Sequence, residues 1–210
     1  LQNGIFVTSP NGAEDWLQGT ARQITWCGAG VAGNVKIELL KNGSVNSTIA
    51  ASTANSGEYY WTVPAAQTPG TDYSIKVSSV NTPATNDQSD ANFTISAPAL
   101  AVAFPNGGES LSQDSTNNIT WSTHGISGNV KIELMKNGVS NLVIADSTEN
   151  DGTFSWRIPL EQTIASDYKI KITSIDMPAY SDQSNANFSV STGIPTITVT
   201  SPNGGESIYR

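Results

Sequence analysis

The 210-residue chain has 18 acidic and 10 basic side chains, a net charge of −8, and only 13% charged residues. So acidic a chain, rich in hydroxyls and amides, lacks the broad lysine and arginine field that phosphates attract; this disfavours nucleic acid as a partner and adhesion to anionic membranes. No run approaches the roughly 18 apolar residues of a membrane-spanning helix, and the single cysteine, Cys27, excludes an internal disulfide or a multi-cysteine metal site.

In chain order, Ile5-Phe6-Val7-Thr8 reads as a short strand, ended by Ser9-Pro10 and turned at Asn11-Gly12. Proline has no N–H to give a ladder, and Asn-Gly favours a turn. Arg22-Gln23-Ile24-Thr25-Trp26 follows, with Ile24 and Trp26 two apart and so on one face. In Val35-Lys36-Ile37-Glu38-Leu39 apolar and charged residues alternate, which is the period of a half-buried strand. Asn42-Gly43 then predicts a tight hairpin, because both positions of such a turn need positive φ. Short strands are predicted at Ser47–Ala50, Gly57–Pro64 (with Tyr59, Trp61 and Val63 inward), Asp72–Val77 and Ala91–Ile95.

The whole series then repeats. Gly33-Asn34-Val35-Lys36-Ile37-Glu38-Leu39 returns as Gly128-Asn129-Val130-Lys131-Ile132-Glu133-Leu134, 95 residues on. The two copies align without a gap, with about half the positions identical. The opening motif occurs a third time as Ile197-Thr198-Val199-Thr200-Ser201-Pro202-Asn203-Gly204-Gly205-Glu206. The expected units are residues 1–97, residues 98–193, and residues 194–210 as the first strand of an incomplete third repeat or a donated strand. About seven short strands per unit, without a helical apolar period, predict an all-β fold of tandem antiparallel sandwiches. A unit of this size has enough core to fold without staples. Prolines at the joints, Pro98 and Pro195, predict a stiff, elongated pair. Leu1 is not an initiator methionine, so removal of a leader or of upstream domains is expected. Arg210 cuts into the repeated motif, where a trypsin-like cleavage or an artificial boundary is expected rather than a natural end.

The ordered set of motifs resembles a known family. It comprises Pro-Asn-Gly-Gly-Glu, Ile-Thr-Trp, Val-Lys-Ile-Glu-Leu, Gly-x-Tyr/Phe-x-Trp-x-Val/Ile-Pro, Asp-Tyr-x-Ile-Lys-Val/Ile and Asn-Phe-Thr/Ser-Ile/Val. It is similar to the Ser-Thr-rich GPI-anchored membrane family domain, related to fungal proteins of β-1,6-glucan assembly and recurrent in secreted bacterial and archaeal surface proteins. The resemblance covers both repeats and the third opening. It implies an immunoglobulin- or fibronectin-III-like sandwich outside the cell and carries no catalytic residue to transfer. The lipid anchor of the family name is not expected here, since these residues show no anchor signal or Ser/Thr-rich stalk.

Trp26, Trp61 and Tyr73, repeated as Trp121, Trp156 and Tyr168, lie in phase with apolar neighbours and are expected in the core. The aromatics out of phase are Trp16, Tyr60 and Tyr180, with counterparts Leu111, Ser155 and Thr85. These three are the candidate ligand contacts, for stacking on sugar rings. Asp87, Asp90 and Asp182 cluster with amides and hydroxyls; a solvated loop is expected, with a weak inter-domain calcium site as the alternative. Glu14, Glu109 and Glu206 recur after the Pro-Asn-Gly turn, where a local bond to backbone is expected. The one histidine, His124, sits in a Thr-His-Gly turn opposite Ala29, and Cys27 opposite Ser122 reads as a small side chain at a strand end. No nucleophile elbow, phosphate loop or zinc-binding His-Glu-x-x-His occurs. Five Asn-x-Ser/Thr sequons, at Asn42, Asn46, Asn92, Asn118 and Asn187, are candidate glycosylation sites.

The expected function is a non-enzymatic extracellular structural or adhesive module, a rod-like spacer in a larger cell-surface or secreted protein or filament. The alternative is a carbohydrate-binding accessory module of a secreted hydrolase. Expected partners are neighbouring repeats of the same protein, a second copy through residues 196–210, and polysaccharide. No cofactor, nucleic acid or membrane insertion is expected.

Overall fold

A computed structural model describes residues 4–193, and every regular element among them is a strand. The chain divides into two units between Pro98 and Ala99. The first unit runs β1 (Phe6–Ser9), β2 (Asp15–Leu17), β3 (Ala21–Cys27), β4 (Asn34–Lys41), β5 (Ser44–Ala54), β6 (Glu58–Thr62), β7 (Gly70–Ser79), β8 (Asn86–Gln88) and β9 (Phe93–Ser96). The second repeats that order as β10 (Ala99–Phe104), β11 (Ser110–Ser112), β12 (Thr116–His124), β13 (Asn129–Lys136), β14 (Val139–Glu149), β15 (Thr153–Arg157), β16 (Ala165–Ser174), β17 (Ser181–Gln183) and β18 (Phe188–Ser191).

Each unit is a sandwich of two sheets. The smaller has the order β1-β3-β6, and β10-β12-β15 in the second unit. The larger has the order β2-β9-β7-β4-β5, with β8 also paired to β7; its counterpart is β11-β18-β16-β13-β14, with β17 on β16. Pairing is antiparallel except for β2 on β9 and β11 on β18, which are parallel. The expected seven strands per unit therefore fall short. β2, β8, β11 and β17 have three residues each, too few to show an alternation.

The predicted alternation decides which residues go inside. Val35, Ile37 and Leu39 of β4 meet Ile75 and Val77 of β7 and Ile24 of β3, all fully buried. The second core repeats this with Val130, Ile132, Leu134, Ile170, Ile172 and Ile119. At the β4–β5 hairpin Asn42 and Gly43 have φ of 51° and 73°, and Asn137 and Gly138 have 49° and 76°, as the paired positive φ of such a turn demands. The pairing of β4 with the eleven-residue edge strand β5 is broken by three register shifts, and that of β13 with β14 likewise. Such bulges twist an exposed edge and make it a poor template for another strand.

Buried polar groups complete each sandwich. The Trp26 indole N–H donates to Asn55 Oδ1 at 2.7 Å, and Asn55 Nδ2 donates to the carbonyl of Val31 at 2.9 Å. Trp121 and Asn150 repeat the clasp, with Asn150 Nδ2 donating to the carbonyl of Ile126 at 3.0 Å. The Tyr73 hydroxyl donates to the Thr68 carbonyl at 2.5 Å and accepts from Gln67 Nε2 at 2.9 Å. Tyr168 does the same with Thr163 and Gln162. This is the corner by which a tyrosine at the start of a strand ties down the loop before it in immunoglobulin-type sandwiches. No buried side-chain nitrogen or oxygen among the described residues lacks a hydrogen-bond partner.

Candidate functional site

The three aromatic candidates separate. Trp16 is a correction: it is 5% exposed and belongs to the core of the first unit. No strand was expected around it, so it read as out of phase. β2 turns it inward, where its ring lies 4.8 Å from that of Phe93 and 6.1 Å from that of Trp61. Its counterpart Leu111, buried in the second core, was the signal of an inward position. Tyr180 is half-buried in the loop before β17, its N–H bonded to the Met177 carbonyl at 2.9 Å. Tyr60 alone is open, 68% exposed on the outer face of β6. It pairs across the ladder with Gln23, whose amide donates to Glu58 Oε2 at 2.6 Å.

The carboxylates are mostly engaged with backbone. Asp87 accepts the Val7 N–H and Asp182 the Val102 N–H, each at 2.8 Å, tying the first strand of each unit to the opposite sheet. Asp90 accepts from Asn11 Nδ2 at 2.7 Å. One oxygen of each is thus engaged within its own unit, and no cluster of three or more His, Cys, Asp or Glu that could hold a metal ion is found among the described residues. Glu14 takes the N–H groups of Asn11 and Gly12 on its two oxygens, both at 2.8 Å. Glu109 takes those of Asn106 and Gly107 at 2.8 and 2.7 Å. Glu206 lies outside the described residues.

Partial burial pushes the Glu109 pKa upward, but the backbone donors outweigh it and hold the carboxyl below its usual range. A carboxylate lowered on folding stabilises the fold above its unfolded pKa, and that contribution disappears as pH falls through the folded value. Glu109→Gln is therefore expected to cost on the order of 1 kcal/mol at neutral pH. The gap between variant and parent should close on acidification. Urea midpoints measured across pH check this, and a gap that widens in acid would contradict it.

His124 ends β12 and Cys27 ends β3, both on exposed positions. All five sequon asparagines, Asn42, Asn46, Asn92, Asn118 and Asn187, are exposed.

The outer face of the larger sheet carries chemistry that was not singled out from the alternation. Every lysine of this acidic chain lies on its two central strands: Lys36 and Lys41 on β4, Lys76 on β7, Lys131 and Lys136 on β13, Lys169 and Lys171 on β16. Lys41 pairs with Asp72 at 2.6 Å and lies over the Tyr73 ring, 4.2 Å from its centre; Lys136, Asp167 and Tyr168 repeat this. The hydrogen bond to Asp72 is the main cause that raises the Lys41 pKa, against its partial desolvation, so the amine stays protonated and is no nucleophile. Glu38, only 9% exposed, is held by Lys36 at 2.5 Å, and Glu133 by Lys131 at 3.1 Å. Burial works to raise the Glu133 pKa, but the bonds from Lys131 and Ser140 and the charges of Lys131 and Lys171 bring it below the usual range. Lys76 and Lys171 stand directly across the ladder from Glu38 and Glu133. Among the described residues neither of those two ammonium groups closes an ion pair.

The family model of the Kre9/KNH-like N-terminal Ig-like domain matches residues 9–95 and again residues 104–190. The chain belongs to this family. Each match to the Kre9/KNH-like domain spans most of one core, one tryptophan–asparagine clasp and one tyrosine corner. In three dimensions these tandem domains are similar to the fibronectin(III)-like modules of Clostridium thermocellum CbhA, at 12% identity over 98% of this chain and 100% of that one, with a TM-score of 0.32. They are similar to the I-band fragment I67-I69 of titin, at 13% identity over 90% of this chain and 66% of that one, TM-score 0.34. They are also similar to the tandem Ig repeats of Dlar, at 15% identity over 91% of this chain and 100% of that one, TM-score 0.30. No curated protein matches the chain in sequence. The Kre9/KNH-like chain is thus a tandem of immunoglobulin/fibronectin-III-like β-sandwiches.

Proposed function

We propose that the chain is a non-enzymatic extracellular module with a structural and adhesive role, a rod-like spacer within a larger cell-surface or secreted protein or filament. One observation carries this: the large repeated aromatics are spent inside two closed cores, and the buried polar groups on tying down the backbone. No catalytic residue is assigned. The resemblance to domains of β-1,6-glucan assembly and of secreted surface proteins supports the extracellular setting. Glycosylation at the five exposed sequons and self-association through residues 196–210 belong to the same proposal; that segment lies outside the described residues.

A second function, as a carbohydrate-binding accessory module of a secreted hydrolase, is favoured by Tyr60. Its open ring beside Gln23 and Glu58 on a sheet face is the arrangement on which a sugar ring stacks. Retention on insoluble neutral glucan separates the two. For the spacer, the parent chain and Tyr60→Ala pass through alike. Saturable retention that vanishes in Tyr60→Ala would replace the spacer with the accessory module.

A further inference from the structure

The two units differ outside the core in one place and agree in another. On the outer face of the smaller sheet Tyr60 becomes Ser155, Gln23 becomes Asn118, Glu58 becomes Thr153 and Thr62 becomes Arg157. On the outer face of the larger sheet Lys36, Glu38, Lys76 and Gln88 return unchanged as Lys131, Glu133, Lys171 and Gln183. Core packing cannot account for this, because these side chains point away from the core. An ion-pair ladder accounts for Lys36 with Glu38 and Lys131 with Glu133. It leaves Lys76 and Lys171 over.

Each of these lysines borders a hollow. Lys76 lines one of about 300 Å³ with Lys36, Glu38 and Ser78. Lys171 lines one of about 310 Å³ with Met135, Ser181 and Gln183. Within the second hollow the Asp182 carboxylate is taken by the Val102 N–H. Each glutamate is held by its own lysine, so in the first hollow Lys76 is a surplus positive charge, while in the second Lys171 shares the lining with the Asp182 carboxylate. Around each lysine stand hydroxyls and amides: Ser78 and Gln88 in one unit, Thr173, Ser181 and Gln183 in the other. A carboxylate, buried as Glu38 and half-buried as Glu133, beside a second ammonium that closes no ion pair and ringed by neutral hydrogen-bonding groups, suits an anion carried on a polyhydroxylated body. The hollows offer no deep apolar pocket for a peptide side chain.

We propose that the outer face of the larger sheet in each unit binds a linear polysaccharide carrying carboxylates, with Lys76 and Lys171 as the anion-binding residues. This deepens the adhesive part of the function proposed above and rests on it. Lys76 or Lys171 takes the uronate carboxylate, while the neighbouring hydroxyl and amide groups bond the ring hydroxyls.

Calorimetric titration of the whole chain with a linear oligogalacturonate tests this, using the same oligomer fully methyl-esterified as an uncharged control. The acid form is expected to bind, and more weakly as salt rises, since exposed charges are screened. Joint Lys76→Gln and Lys171→Gln should weaken it about tenfold or more, while Tyr60→Ala leaves it unchanged. Circular dichroism confirms that the half-exposed lysine variants keep their fold. Absence of binding at millimolar oligomer, equal binding of the ester, or indifference to the lysine changes would each overturn the site. Equal binding of oligoglutamate would overturn the assignment to polysaccharide. None of these results touches the spacer, which the neutral-glucan experiment addresses separately.

Discussion

Replacing Trp121 with alanine is expected to destabilise the second unit by about 3–5 kcal/mol, the usual cost of emptying a buried tryptophan site. Trp121 is 5% exposed and packs in the core with Ile119, Val130 and Trp156. Removing it also strands a polar group. Asn150 Oδ1 loses the indole N–H, while Asn150 Nδ2 still holds the carbonyl of Ile126, so the side chain cannot turn to water without breaking that bond. A domain of this size has about 5–14 kcal/mol in total, so the loss takes a large share of it. The melting transition of the second unit should fall by on the order of 20 °C. The first unit has its own core and its own clasp, Trp26 on Asn55, so its transition should hold its midpoint. Ser122→Ala, next door on the exposed face of β12, should change little. A shift of only a degree or two in Trp121→Ala would mean that the indole is not the filling of this core.

The sandwich was legible because alternation is a local signal. Val35, Ile37 and Leu39 state their face within five residues, and Asn42-Gly43 states the turn. The three-residue strands were not legible. Asp15-Trp16-Leu17 is placed by its parallel pairing with Thr94, Ile95 and Ser96, nearly eighty residues away, and no window of sequence contains both. Missing that strand is what put Trp16 on the surface. Comparison with Leu111 would have corrected it, since an aromatic and an aliphatic residue at matched positions of two repeats share burial and not sugar binding. The glutamate after each Pro-Asn-Gly turn was legible as a backbone ligand because its donors, at Asn11 and Gly12, are two and three residues away. Asn55 was not, because its partner Trp26 is on another strand. The lysines of the larger sheet were visible as the polar half of an alternation. What they lacked was the pairing of β4 with β7, which sets Lys76 against Glu38 and leaves its charge unmatched.

The opening turn gives an internal control for the second large effect. Gly107 has φ of 135°, and a methyl group there would sit 2.5 Å from Ala186 Cβ, 3.0 Å from its Cα and 3.1 Å from its nitrogen. Ala186 cannot retreat easily, because its N–H bonds to the Asn106 carbonyl at 3.1 Å and the preceding Asn185 N–H bonds to Asn106 Oδ1 at 2.6 Å. The same turn presents the Gly107 N–H to Glu109. Gly107→Ala therefore combines a backbone conformation closed to L-residues with a clash against backbone, and should cost about 2–4 kcal/mol. Gly108 is adjacent, with φ of 85°, but nothing lies within 4 Å of a methyl group there. The first unit already has alanine at that position, Ala13 with φ of 66°, while it keeps glycine opposite Gly107, at Gly12 with φ of 129°. Gly108→Ala should thus cost about 1 kcal/mol, the left-handed penalty alone. Urea unfolding of the two variants side by side measures what the wider φ and the crowding at Gly107 add to the left-handed penalty. Equal midpoints would show that positive φ is the whole constraint and that the approach to Ala186 is slack. A larger loss in Gly107→Ala is the expected result, the sum of its wider φ and its contact with the segment leading into β18, the last strand of the same unit.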